Sequence, residues 1–322
     1  MTTSTLPTSF MGYKANNDRN LTSCRELVQE HGLGYGVEKA QAIYTFQDGF
    51  EQAGNEFHLI NSSTGKCLST STVGKDYKIL TPNDLADDFQ WFVDAGYATP
   101  FSAFRTANGR ECLALMLNPD LFEDNGHTGF ILGTNRQGLE SAIGQLFLWR
   151  KICSNGMMGW AKQSRFTVRH MGEARQNLTD HTRDWARMEQ TFQAMNERMS
   201  ELSNIPMTLE ALMGATDSLH GTFELGGTVQ DVKTGKKASG QKIKARERTI
   251  AALNMPHMGT FGSTAADFYN AVTYNNSHLP AGSKRSTASL ADSLLTGTGR
   301  NVEATALSIL AGFEKTGTFA TV

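Results

Sequence analysis

Phe101-Ser102-Ala103-Phe104-Arg105-Thr106-Ala107-Asn108-Gly109-Arg110-Glu111-Cys112-Leu113-Ala114-Leu115-Met116-Leu117 sets two apolar runs on either side of an Asn-Gly pair. Asn and Gly tolerate positive φ, which the tip of a tight primed turn requires. The segment predicts two antiparallel strands joined at 108–109. Strands paired locally in this way build a sheet without βαβ crossovers.

Further strand-like runs surround this hairpin. Gly129-Phe130-Ile131-Leu132 reads as a strand, and Gln145 to Ile152 is apolar and then basic. Upstream, Phe57-His58-Leu59-Ile60 enters a turn at Asn61–Lys66 and resumes at Cys67–Thr70. Tyr77–Leu80 is another short apolar run, and Pro82-Asn83-Asp84 opens a helix through Val93. Glu38 to Phe46 is read as a short helix. Residues 1–20 are polar and read as a flexible N-terminal arm.

The pattern changes near Gly172. Residues 173–202 contain no Gly or Pro, and positions 178, 181, 185, 188, 192, 195, 199 and 202 are Leu, His, Trp, Met, Phe, Met, Met and Leu. Spacings of three and four form the seam of a packed helix. One long helix over this stretch would reach roughly 45 Å. A Gly- and Lys-rich segment at 226–241 reads as a mobile basic loop, and helices follow at Ala265–Asn275, Ser289–Leu295 and Val302–Phe313. No internal repeat is evident. The expectation is one α+β domain over 21–322. It is β-rich with antiparallel hairpins over about 56–170 and helical over about 172–322, with the Leu178–Leu202 seam either packing into the same chain's core or joining subunits of an oligomer.

A chain of 322 residues can bury a large core. Its net charge of −2 rules out a uniformly basic surface. No window approaches the ~18 apolar residues of a membrane span, and the N-terminus has neither the basic nor the apolar region of a secretory signal. Cys24, Cys67, Cys112 and Cys153 lie far apart with no C-x-x-C, which points to reduced thiols of a cytosol, not to a disulfide frame or a zinc site.

Catalytic motifs are absent. Gly65-Lys66 resembles the end of a P-loop, but Ile60 stands where the first glycine belongs and Cys67 follows the lysine. Gly32-Leu33-Gly34-Tyr35-Gly36 lacks the dinucleotide spacing. No H-E-x-x-H or G-x-S-x-G occurs. Asp120, Glu123, Asp124 and His127 are close enough in sequence to hold a divalent cation, yet Asn125-Gly126 favours a solvated turn. No cofactor is expected.

Charge is unevenly distributed. Residues 1–100 carry 7 basic and 12 acidic side chains, whereas residues 151–250 carry 15 and 11. From Trp149 to Arg187, eight basic residues face three acidic ones, and three of the four tryptophans fall there. Cations interleaved with flat rings suit a single-stranded nucleic acid: charge holds phosphates and unpaired bases stack on π-faces. Arg165-Phe166-Thr167-Val168-Arg169 alternates, so a strand would place its cations on one face and its apolar residues on the other. Arg150, Lys151, Lys162, Arg165, Arg169 and Arg175 are the candidate phosphate contacts, with Trp160 and Phe166 as stacking platforms. Residues 233–248 form a second patch, in which Lys233, Lys236, Lys237, Lys242, Lys244, Arg246 and Arg248 face Glu247 alone. This segment would fold over the strand or recruit a partner. His170 and His181 are read as contacts to backbone, solvent or core.

Several segments together resemble the phage- and plasmid-associated domain-of-unknown-function family 932. Ser71-Thr72-Val73-Gly74-Lys75-Asp76-Tyr77-Lys78-Ile79-Leu80 followed by Asn83 resembles its VG-x-x-Y-x-V-x-x-N segment. Gly129–Asn135 resembles the apolar strand before its central segment. Trp149-Arg150-Lys151-Ile152-Cys153-Ser154-Asn155-Gly156 resembles V-R-x-V-C-x-N, and Val168-Arg169-His170-Met171 resembles I-R-H-T. Phe268-Tyr269-Asn270-Ala271-Val272-Thr273 also fits. Met171 and Gly156 replace threonines. The resemblance covers roughly residues 60–300.

The resemblance implies a mobile-element origin and no defined activity. The chain is also similar to the single-stranded-DNA-binding transcription cofactors of podoviruses, which implies oligomers, a phage RNA polymerase partner and the cytoplasm of an infected bacterium. The expected function is sequence-tolerant binding of single-stranded DNA without catalysis. Strand annealing, a metal-dependent nuclease using Asp120, Asp124 and His127, and an anti-host factor acting through the acidic N-terminal surface are the alternatives.

Overall fold

The computed structural model describes residues 9–10, 13–14, 22–47, 49, 51–118, 127–138, 140–150, 157–159, 165–255, 264–277 and 286–317. The arm expected over 1–20 falls almost wholly outside them. Within it, only β1 (Ser9–Phe10) and β2 (Tyr13–Lys14) are described, as an antiparallel pair.

The centre is an antiparallel sheet. β6 (Ala98–Arg105), β7 (Arg110–Leu117), β8 (His127–Asn135) and β9 (Ala142–Arg150) run as a meander. β10 (Met157–Gly159) and β11 (Arg165–Val168) share the outer edge of β9, one on each half. The β6–β7 hairpin predicted from Asn108-Gly109 is present, with a different turn. Thr106 donates to the Arg110 carbonyl at 2.8 Å and Gly109 to Thr106 at 3.1 Å, with Gly109 at φ 79°. This is a three-residue loop closed by a left-handed glycine, not a two-residue primed turn.

Both faces of this sheet are covered, so β7 is buried at every position. α1 (Cys24–Glu30), α2 (Pro82–Asp94) and α3 (Ala174–Arg183) cover one face. Their Leu27, Leu85, Phe89, Phe92 and Leu178 pack on Leu113, Leu115, Phe130, Leu132 and Leu146. α2 starts where the sequence placed it, because Thr81 and Asp84 form a reciprocal capping box ahead of Pro82. On the other face, Leu290, Ala291, Leu294 and Leu295 of α8 (Thr287–Leu295) pack on Phe101, Phe104, Met116, Ile131 and Phe147. A third core joins α4 (Trp185–Ser203), α5 (Leu209–His220), α6 (Gly240–Leu253), α7 (Ala265–Ser277) and α9 (Thr298–Thr316). The fold is α+β as expected: a β-rich N-terminal half and a helical C-terminal half.

Three expectations are corrected. Glu38–Phe46 is not a helix but β3 (Val37–Thr45), paired with β4 (Glu51–Asn61) across a bulge at Gln41/Ile43, with β5 (Val73–Gly74) beyond. Cross-strand pairing overrides the weak helical preference of Glu-Lys-Ala. The 173–202 helix is broken: Asp184 at ψ 64° separates α3 from α4. The two ends of the seam then enter different cores, Leu178 against the sheet and Leu202 among the C-terminal helices. Both ends pack within the chain, as the core-packing reading of the seam has it; the side chains of Trp185, Met188, Phe192 and Met195 between them lie outside the described residues.

The 226–241 segment is an ordered hairpin and turn. β12 (Thr222–Leu225) and β13 (Thr228–Asp231) meet at Gly226-Gly227, both at positive φ, and Ser239 caps α6. Finally, one turn is used twice. Asn61-Ser62-Ser63-Thr64-Gly65-Lys66 and Asp231-Val232-Lys233-Thr234-Gly235-Lys236 share their hydrogen bonds. Asn61 Oδ1 and Asp231 Oδ1 each accept from the backbone N–H groups two and three residues on. Asn61 and Asp231 each donate to the carbonyl of the closing lysine at 2.8 Å, and Gly65 and Gly235 lie at φ 65° and 63°.

Candidate nucleic-acid interface

The outer edge of the central sheet carries the first predicted patch. In register, Arg165 lies opposite Gln145, Phe166 opposite Gly144 and Thr167 opposite Ile143. Phe166 and Val168 join the core beneath α1–α3. Alternation therefore puts Arg165 and Thr167 on the α8 face. Arg169 is exposed just past the strand. Arg165 is half-buried on the α8 face, and Phe166 and Val168 lie on the apolar side.

Phe166 itself is a correction. Its ring stacks on His181 at 4.8 Å, meets Phe130 edge-on, and occupies the space over Gly144, where a Cβ would stand 2.1 Å from it. A ring held this way packs the core and does not present a face to a base. Arg175 is another. Its guanidinium donates to the Asp84 carbonyl at 2.5 Å and lies 3.3 Å from Asp88, 3.5 Å from Asp84 and 3.9 Å from Asp87. The acidic face of α2 has already claimed its charge. His170, as expected, is a backbone contact: Nδ1 lies 2.9 Å from the Lys78 carbonyl and the ring stacks on Tyr77.

The second patch divides into two layers. Lys242 donates to Asp231 at 2.5 Å. Arg246, 5% exposed, pairs with Asp217 at 2.6 Å and Glu224 at 3.2 Å. These pairs tie the β12–β13 hairpin to α5 and α6, so Lys242 and Arg246 are structural and are corrected accordingly. Above them Lys233, Lys236, Lys237, Lys244 and Arg248 are exposed, and none is ion-paired among the described residues.

Lys151, Trp160, Lys162, Asp120, Glu123 and Asp124 lie outside the described residues, as do the side chains of Trp149, Arg150 and His127. Among the described residues no three His, Cys, Asp or Glu side chains are grouped to hold a metal ion. No described helix is long and apolar enough to cross a membrane.

Residues 69–295 match the family model described as Domain of unknown function (DUF932). The chain belongs to this family. No curated protein and no solved structure matches it. In this DUF932 protein the matched stretch takes in the central sheet, α2, α3, α8 and the hairpin with α6; β3, β4 and α9 fall outside it.

Two residues beside Arg165 escaped the sequence reading. Gln145 is fully buried in β9, with neither amide atom hydrogen-bonded. A lone amide inside the apolar run Ala142–Trp149 was the available signal. Arg300, half-buried in the first turn of α9, acts on Arg165 from a position 135 residues away in sequence. Burial first, then Arg300 and Arg110, pushes the Arg165 guanidinium down to about 10. Arg110 is itself occupied, paired with Glu140 and donating to the Ser141 carbonyl at 2.9 Å.

Proposed function

We propose that this DUF932 protein binds single-stranded DNA with little base preference. The observation that carries the reading is the exposed set without ion pairs among the described residues, Lys233, Lys236 and Lys237 on the turn after β13 and Lys244 and Arg248 on α6, beside the Lys242–Asp231 and Arg246–Asp217 pairs. Fixed cations without counter-ions meet phosphates at low ordering cost, and they carry no sequence information. Arg165 and Arg169 extend the cationic surface at the sheet edge. With Phe166 and Arg175 out of the set, the described part of the surface is cationic, and Trp160, outside the described residues, stays the candidate stacking platform.

We extend the proposal to a role beside a phage RNA polymerase as a homo-oligomer, resting on the resemblance given above. The protein acts as a binder and leaves DNA intact. Labelled single strand incubated with magnesium or manganese is expected to remain whole, and fragments would favour the nuclease alternative.

The central test is a salt titration of binding to single strand, duplex and RNA. Lys236→Glu with Lys237→Glu should weaken binding to every sequence by ~tenfold or more. It should also flatten the slope of log affinity against log salt by about one to two. Unchanged affinity removes this surface from the reading.

A further inference from the structure

We propose that Glu303 makes the seating of residues 298–306 of α9 on α7 depend on a proton: the neutral carboxyl holds this part of the helix down and the carboxylate releases it. The inference lies beyond strand binding and does not rest on it.

The buried seam of α9 carries it. Gly299, Glu303, Ala306 and Leu310 are the buried residues of the helix, at spacings of four, three and four. That is the stripe of a packed helix, and Ala306 and Leu310 join the third core. Glu303 thus fills a place that suits an apolar side chain. It is 1% exposed. Its Oε1 lies 3.5 Å from the Asn276 side-chain nitrogen of α7, and that amide already donates to the Gly299 carbonyl at 3.0 Å. Its Oε2 has no hydrogen-bond partner among the described residues. An ionised carboxylate so placed costs far more to bury than the neutral acid.

No nearby charge offsets that cost. α5, α7 and α8 pack on α9. Asp267 of α7 accepts from the Thr264 hydroxyl, Asp292 of α8 accepts from the Asn108 amide, and Asp217 of α5 pairs with Arg246. Glu210 and His220 of α5 and Tyr269 and Tyr274 of α7 are the other titratable groups on these helices. On α9 itself Arg300 stands three residues before Glu303, and Glu314 and Lys315 lie at the far end. None of these groups acts on the carboxyl. Burial holds it well above the ordinary carboxylate range, and the Asn276 amide is what opposes that rise. The helix dipole gives no help, because Glu303 lies past the first turn.

The far end of α9 is held differently, since Glu314 pairs with Arg198 of α4 at 2.7 Å. Nearer the start, the links are the Asn276 bond to the Gly299 carbonyl and the Gly299 amide donating to the Ser293 hydroxyl of α8 at 3.0 Å. These are neutral bonds that water can replace. Ionisation of Glu303 therefore frees residues 298–306 and leaves the C-terminal turns in place.

Once lifted, the carboxyl ionises at its ordinary value of ~4.3. The seated form keeps its proton to higher pH. Between those two values each opening releases one proton, so the opening equilibrium rises by up to ~tenfold per pH unit as pH rises. Below ~4.3 both forms are protonated and seating is constant. A buried base contributes to global stability with the opposite sign, so the readout is the local exchange of 298–306.

The test uses the full chain. The Glu303 carboxyl carbon is followed by NMR from pH ~4 to ~9. Amide hydrogen exchange of α9 and of β7 is measured over the same range, corrected for the intrinsic pH dependence of exchange. Glu303→Gln, which keeps the shape of the neutral acid, is measured alongside. The carboxyl is expected to keep its proton well above ~4.3, and residues 298–306 to lose protection by up to ~tenfold per pH unit while it does so. β7 is expected to show a shallower loss, and Glu303→Gln to remove the pH dependence of 298–306. A carboxyl that titrates near ~4.3 overturns the proposal, because the acid then meets water in the folded chain. A proton retained to high pH with constant exchange over 298–306 also overturns it, as does an equal loss of protection in β7, which would be unfolding of the whole molecule. The same slope in Glu303→Gln assigns the effect to another group and overturns it as well. All but the last reading are taken on the wild type, so they decide the matter even if the variant does not fold.

Discussion

Glu111 shows how one side chain anchors the N-terminal segment to the sheet. It is 1% exposed, and its carboxylate lies between Arg136 and Arg105 while the Tyr35 hydroxyl donates to it at 2.8 Å. The Arg136 guanidinium lies 3.7 Å above the Tyr35 ring and donates to the Leu33 carbonyl at 3.2 Å. Burial pulls the Arg136 guanidinium below its usual range, and Glu111 is the main group opposing that pull. A buried pair of this kind adds little over an apolar replacement, but losing one member strands the other. Glu111→Ala should therefore cost about 3–5 kcal/mol in urea unfolding. A loss below ~1 kcal/mol would show that Arg136 finds water instead. Little of this was legible in the sequence. Arg105 falls opposite Glu111 because the turn is three residues long, where the two-residue turn expected at 108–109 would set it against Cys112, and Tyr35 and Arg136 reach the pair only after the chain has folded back.

At the scale of elements, turns were the most readable feature and helix continuity the least. Asn108-Gly109 and Pro82-Asn83-Asp84 each mark a real boundary, because positive φ and helix starts are local requirements met by local residues, whereas Gly226-Gly227, read as the start of a loop, closes the β12–β13 hairpin. The break at Asp184 had no Gly or Pro to announce it. It follows from packing, since one unbroken rod could not put Leu178 on the sheet and Leu202 in the helical core. The α5–α6 contact yields a pH prediction. His220 ends α5, where the helix dipole favours its cation, yet burial lowers its pKa to about 4, with Arg248, Arg246 and Lys242 adding to the effect. Its ring lies 3.0 Å from the Thr249 hydroxyl of α6. Below pH ~6.5 the unfolded chain takes up a proton that the folded chain refuses until pH ~4. Stability should therefore be flat above that window and fall across it by up to about 3 kcal/mol. His220→Gln should flatten this part of the curve in denaturant titrations at stepped pH. An unchanged slope would assign the acid sensitivity to another group.

At the scale of the molecule, α8 connects the two halves. It belongs to the helical half in sequence, but its apolar face closes the sheet, and Asp292 accepts from the Asn108 backbone at 2.6 Å. Leu294→Ala should open a cavity against Phe101, Met116 and Phe147 and cost about 2–5 kcal/mol in guanidinium unfolding. A loss under ~1 kcal/mol would mean the face is closed by other residues. By itself the sequence determined the antiparallel strands of the central sheet, the starts of α2 and α7 and the class α+β, since each depends on residues adjacent along the chain. Only the tertiary structure decided which cations are free. Arg175 and Arg246 look like Arg165 and Lys236 in sequence, but acids brought from α2, α5 and β12 neutralise the first two and leave the others without a counter-ion. Charge is written in the chain, whereas pairing depends on distances that exist only once distant segments meet.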